Sequence, residues 1–245
     1  MTRARIQLLA LLALGMLGCG SEVTGPVESS VYGLLSLVAP DTATADAASL
    51  VIITAEVDSL VPKDKRKVTF TSTTAGFGGQ SSITVLADSS RKARASLTSP
   101  SDSTVVRIVA TTELSTRTRD IVFHRALAER IELSSDAFQV DTGFATSINL
   151  TALLKRTFGS VSPGARVRWS ASTSASKSIG QFSKPESTID ATGQATVKFA
   201  LGYTSDPGPI TITAAADSAN KKEITATTII RIKIPLPPKS SSKVP

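Results

Sequence analysis

A chain of 245 residues, 41% of them hydrophobic, is long enough for one or two packed domains, and its formal net charge is +7. Aromatic residues make up only 4%, with one cysteine and one histidine in the whole chain. An internal disulfide is therefore excluded, a histidine-built zinc site lacks ligands, and Ser-His-Asp or Cys-His chemistry would have to run through His124. Few aromatics are on hand to stack on bases and no nucleic-acid-reading motif is found, so no nucleic-acid partner is expected. The apolar set is mostly Val, Ile, Leu and Ala among abundant Ser and Thr, a mixture that favours pleated strands over helices.

The chain begins with a short positive stretch carrying Arg3 and Arg5, followed by an apolar run from Ile6 to Leu17. About a dozen apolar residues is too short for a resident membrane helix, which needs roughly twenty, and it fits the core of a secretory signal. Met16-Leu17-Gly18-Cys19 then resembles the lipobox of bacterial lipoproteins, with Met16 where that family prefers leucine. The resemblance implies removal of residues 1–18 as a lipoprotein signal peptide, which leaves a charge of +5. It also implies a diacylglycerol on the Cys19 thiol, and so a membrane partner through the N-terminal lipid. Gly20 replaces the aspartate that retains such proteins at the inner membrane of Gram-negative hosts, which points by analogy to the outer membrane. Residues 19–30, with Gly25-Pro26 and few apolar side chains, read as a flexible tether.

From about Val31 the apolar residues alternate with polar ones. Val51, Ile53, Ala55 and Val57 share one face, as do Val68 and Phe70, then Ala93, Ala95 and Leu97, then Val106, Ile108 and Ala110. A period of two places one face of each strand in a core and the other in water. The pattern returns about one hundred residues on. Ile148, Leu150, Ala152 and Leu154 match the first set; Val167 and Trp169 match Val68 and Phe70. Asp190 to Phe199 matches Asp88 to Leu97, and Ile210, Ile212 and Ala214 match the last set. The spacing predicts an all-β chain of two tandem immunoglobulin-like sandwiches, at 31–123 and 124–234, each of about seven strands in two antiparallel sheets. Trp169 is expected to fill the centre of the second and Phe70 that of the first. Residues 235–245, rich in Pro and Ser, are expected to form a disordered tail.

The second repeat resembles the bacterial immunoglobulin-like domains of the invasin and intimin group. The resemblance is carried by Val167 to Ser170, Gly180 to Phe182, Asp190 to Val197 and Ile210 to Ala215. It implies a tight hairpin in which Asp190 caps the turn and Gly193 supplies positive φ. Arg91 stands at that position in the first repeat, so the first copy either bears about 1 kcal/mol of strain or uses another turn.

Chemistry-bearing patterns are sparse. There is no Gly-x-Ser-x-Gly, phosphate-binding glycine loop or His-Glu-x-x-His. Asp41, Asp46, Asp88, Asp102, Asp190, Asp206 and Asp217 mostly sit beside Ser, Thr, Pro or Gly, as turn-forming carboxylates do. No catalytic residues, cofactor or metal site are expected. Two basic clusters, Lys63, Lys65, Arg66 and Lys67, then Arg91, Lys92 and Arg94, are open to two readings. They form an anionic-surface patch if their loops meet, or they are solvated loops that block edge-to-edge pairing. Lys155–Gly164 and Tyr203–Pro209, carrying Phe158 and Tyr203, are expected at the far end of the second domain as partner loops. These features suggest a membrane-anchored, envelope-exposed module that binds or spaces without catalysis, its partner a protein or an envelope polysaccharide. A structural subunit of an envelope assembly and a carbohydrate-active accessory protein or enzyme stand as alternatives.

Overall fold

The computed structural model describes residues 33–143, 146–204, 208–220 and 222–233. The signal segment 1–18, Cys19, the tether 19–30 and the tail 235–245 lie outside the described residues.

Among the described residues eight strands precede residue 126: β1 Leu34–Val38, β2 Thr42–Ala45, β3 Leu50–Val57, β4 Lys67–Ser72, β5 Ser82–Leu86, β6 Lys92–Thr98, β7 Thr104–Thr111 and β8 Thr116–Arg125. They form a three-stranded sheet, β1-β3-β6, facing a five-stranded one, β2-β8-β7-β4-β5. Nine follow: β9 Arg130–Ser135, β10 Gln139–Asp141, β11 Ser147–Lys155, β12 Arg166–Thr173, β13 Gln181–Phe182, β14 Glu186–Thr188, β15 Gln194–Ala200, β16 Ile210–Asp217 and β17 Glu223–Lys233. Their sheets run β13-β15-β11-β9 and β10-β17-β16-β12-β14, the same plan repeated. The architecture is a tandem pair of immunoglobulin-like sandwiches.

The expectation of purely antiparallel sheets needs correction. β2 pairs parallel to β8, and β10 parallel to β17. In each domain the first strand breaks and crosses to the opposite sheet, where it runs beside the last strand. Pro40 explains the first break, because it has no N–H to extend the β1–β3 ladder. At the second, Asp136 makes the last bond to β11, its N donating to Asn149 O at 3.1 Å, while its side-chain Oδ1 in place of a backbone carbonyl accepts from Asn149 N at 2.8 Å.

Each sandwich has its own core. One is drawn from Leu34 to Phe123, the other from Ala128 to Ile230. The alternating residues point inward as read: Val51, Ile53, Ala55 and Val57 are buried, whereas Leu50 and Ile52 are exposed. Phe70 is fully enclosed, but the enclosed ring at the middle of the second core is Phe199, on β15. Trp169 is buried beside it through Phe182: centroids lie 6.4 Å apart for Trp169–Phe182 and 5.0 Å for Phe182–Phe199. The indole is drawn toward the sheet edge because its Nε1–H needs a partner, which it finds in Ser187 Oγ at 2.8 Å on β14.

The two hairpins that differ at Arg91 and Gly193 have the same turn. Asp88 N donates to Lys92 O at 3.0 Å and Arg91 N to Asp88 O at 2.9 Å; Asp190 N donates to Gln194 O at 2.9 Å and Gly193 N to Asp190 O at 3.1 Å. Arg91 has φ of 64° and Gly193 of 81°. The first repeat therefore keeps the turn and bears the strain of a left-handed arginine.

Candidate functional site

Strand parity decides which loops meet. β11 runs antiparallel to β9, with Lys155 opposite Arg130, so the loop after β11 returns to the end where the second sandwich begins. Lys155–Gly164 thus packs against the first domain and not at the far end, which corrects its expected place. Ser160 N donates to Asp46 O at 2.8 Å, and Ser162 Oγ donates to Ala45 O at 2.9 Å. Arg125 Nη2 donates to Pro163 O at 3.0 Å, and its Nε lies 3.5 Å from Asp102 Oδ1.

The segment between the domains is bound along its length. Ala126 N donates to Ser162 Oγ at 2.9 Å, and Ser162 N to Ala126 O at 2.9 Å. Arg156 Nη1 donates to Leu127 O at 2.5 Å, Ala219 N to Ala128 O at 3.2 Å, and Glu129 N to Lys155 O at 2.9 Å. Ala126 and Ala128 are buried. A linker whose backbone groups are paired in this way has few torsions left to act as a hinge. Thr157 closes the set through its Oγ1 and N on Glu129 Oε2, at 2.5 and 2.8 Å. Those bonds, the side-chain one foremost, hold the Glu129 carboxyl below its ordinary range.

Asp46 forms the first domain's side of this junction. It is 3% exposed. Burial pushes its carboxyl up, but hydrogen bonds from the side chains of Ser49 and Ser99 and from Ser49 N and Ala48 N outweigh that and hold it at about 2. Their lengths run from 2.5 Å (Ser49 Oγ) to 3.0 Å (Ala48 N). Against it sits Gly159 at φ +72°, where an added Cβ would lie 2.7 Å from Asp46 O.

The two basic clusters do meet. Val57 N donates to Arg91 O at 2.9 Å and Ala87 N to Arg66 O at 2.9 Å, so both loops lie at the end of the first sandwich where the chain enters. Gly33 is there too, its carbonyl accepting from Asp58 N at 2.8 Å. Several cations are already engaged. Arg66 holds its own loop through Val61 O and Ser59 O, Arg94 pairs with Asp88 at 2.8 Å, Arg91 with Glu56 at 3.6 Å and Lys65 with Glu113 at 4.0 Å. Among the described residues Lys63, Lys67 and Lys92 make no ion pair.

Phe158 and Tyr203 are not brought together. Phe158, 62% exposed, is in the junction loop. Tyr203, 89% exposed, follows β15, whose Ala200 pairs with Ser147 at the opposite end. Its ring lies against Gly143, where an added Cβ would be 3.1 Å from Tyr203 Cε1. His124 is exposed on β8 opposite Thr44. Among the described residues no group of three or more His, Cys, Asp or Glu is placed to hold a metal ion. Sequence reading placed the boundary between residues 123 and 124 but missed the bonds that close it, because Ser160–Asp46 and Ser162–Ala45 join residues more than one hundred positions apart and use backbone groups that any residue carries.

The fold and this junction define the class: tandem immunoglobulin-like sandwiches. No model of a protein family matches the sequence, and no curated protein matches it. Among solved structures, the chain is similar to the Yersinia pseudotuberculosis adhesin InvE, at 18% identity and a TM-score of 0.52, covering 83% of this chain and 61% of that one. It is also similar to invasin, described as a bacterial integrin-binding protein, at 19% identity and a TM-score of 0.58, covering 82% of this chain and 40% of that one. The likeness is one of fold, and this chain spans less than two thirds of either protein.

Proposed function

We propose that this chain is a lipid-anchored, envelope-exposed module that holds a binding surface at a fixed distance from the membrane, without catalysing a reaction. The observation that carries the reading is the paired linker. It joins the two sandwiches into one body whose chain-entering end and Tyr203 end are opposite. A spacer gains from that construction, because a preformed geometry costs less ordering entropy on binding. The fold likeness to an adhesin and to an integrin-binding protein supports a binding role, and the lipobox-like Met16 to Cys19 supports an anchor, with the outer membrane of a Gram-negative host as its place.

The test is metabolic palmitate labelling and intact-mass measurement of the full chain expressed in a Gram-negative host, with membrane fractionation, compared with Cys19→Ser. Lipid on the wild type and none on the variant is the expected result. A soluble, unlabelled wild type would overturn the anchor.

A further inference from the structure

We infer that the end of the first sandwich at which the chain enters is a membrane-contact surface for anionic phospholipid; the inference rests on the reading of Cys19 as the anchor. Three loops form this end: 58–66, 87–91 and 112–115. They are tied to one another and to the entering chain by Asp58 N to Gly33 O at 2.8 Å, Leu34 N to Ser115 Oγ at 2.6 Å and the Lys65–Glu113 pair. Two of the loops carry a leucine with its side chain in water: Leu60 and Leu114 are each 59% exposed. Beside them stand Lys63, Lys65, Lys67 and Lys92. With the three arginines the end carries seven cations against the carboxylates of Glu56, Asp58, Asp64, Asp88 and Glu113, a balance of +2. The carboxylates are largely committed within the fold: Asp58 accepts from Leu60 N at 2.9 Å, and Asp88 from Lys92 N and Arg94. Lys63, Lys67 and Lys92, without an ion pair among the described residues, are the cations left to face outward, with the exposed Asp64 among them.

Apolar tips ringed by lysines suit an interface in which leucine enters the acyl boundary and lysine meets phosphate. The place in the chain selects the occupant. Cys19 lies fourteen residues before Gly33, so the anchor can be no more than about 50 Å from this end. The corresponding end of the second sandwich is occupied by the junction.

The test uses the chain from residue 19 with Cys19→Ser, so that no lipid contributes. It is sedimented with phosphatidylglycerol-containing vesicles and with phosphatidylcholine vesicles, at low and high salt. Binding to the anionic vesicles alone, weakened by salt, is expected. Charge reversal at Lys63, Lys65 and Lys67 together should lower the partition coefficient at least about tenfold. Leu60→Ser with Leu114→Ser should lower it by roughly tenfold. Circular dichroism, which reports both domains, verifies that each variant is folded. No binding, equal binding to both vesicles, or variants that bind like the parent would overturn the inference. Because this protein bears no lipid, such a failure leaves the palmitate result standing, and a failed palmitate experiment leaves vesicle binding readable.

Discussion

Replacing Asp46 with Asn tests whether one buried carboxylate holds the first domain's side of the junction. Asn has nearly the same shape, yet it carries no charge and its amide nitrogen cannot accept the bond from Ser49 Oγ. The fall of the carboxyl from an ordinary 3.8 to about 2 corresponds to about 2.5 kcal/mol of stability. The sign follows from proton binding. Below pH 4 the unfolded chain takes up a proton at this site before the folded one does. The contribution is therefore complete above about pH 5, shrinks as the pH falls, and is gone below about pH 1. Urea unfolding of wild type and Asp46→Asn between pH 6 and pH 2 checks it. Taking the difference cancels the other depressed carboxyls, such as Asp120 beside Arg107. The expected gap shrinks by about 2 kcal/mol over that range, because at pH 2 the folded carboxyl is only about half protonated. Circular dichroism reports both domains, whereas Trp169 fluorescence reports the second alone, so a shift in both signals also measures coupling across the junction. A gap that stays constant with pH would refute the argument.

Three further substitutions follow from the same contacts. Gly159→Val places a Cβ 2.7 Å from Asp46 O and 2.8 Å from Asp46 Cβ, on backbone that has no rotamer to escape into. It should part the two domains, broadening the distance distribution in small-angle X-ray scattering while each core keeps its unfolding midpoint; an unchanged scattering curve would count against a closed junction. Gly193→Ala should destabilise the second domain by roughly 1–2 kcal/mol through left-handed strain, with more from a Cβ 2.9 Å from Leu154 O. Arg91→Gly relieves about 1–2 kcal/mol of strain but adds unfolded-state entropy of about 0.5–1 kcal/mol and loses an exposed pair with Glu56. The expected net effect on denaturant midpoint is zero to slightly stabilising, opposite in sign to Gly193→Ala.

Much of the fold was legible because a period of two is a local signal. Val51 to Val57 and Ile148 to Leu154 announce their inward faces without any partner, and Asp190 with Gly193 announces a turn. The parallel pairs β2–β8 and β10–β17 were not legible, since nothing in Thr42–Ala45 or Gln139–Asp141 distinguishes a strand that has changed sheets. The junction was half visible. Asp46 beside Ser49 reads as a turn carboxylate, and three of its bonds are indeed local; the fourth comes from Ser99, 53 residues away. The basic patch shows the same limit. Lys and Arg stand out in sequence as clusters, but Glu56 and Glu113 reach the patch only through strand pairing.

The ends of the molecule follow from counting strand directions, and they bear on where a partner would be met. Gly33 lies at one end of the first sandwich, Ala45 and Arg125 at the other; Arg130 and Lys155 begin the second, and Ala200 points to its far end. Strands of eight or nine residues span about 28 Å each, so each domain separates its own two ends by about that distance before loops are added. A flexible linker would let the two ends approach each other. The paired segment 126–129 does not, because freeing it exposes five backbone hydrogen-bonding groups and the Ser162 hydroxyl. Phe158 is thereby fixed beside the junction. Tyr203, against Gly143, is carried to the end farthest from the entering chain, which makes that end the one to deplete when a partner is sought.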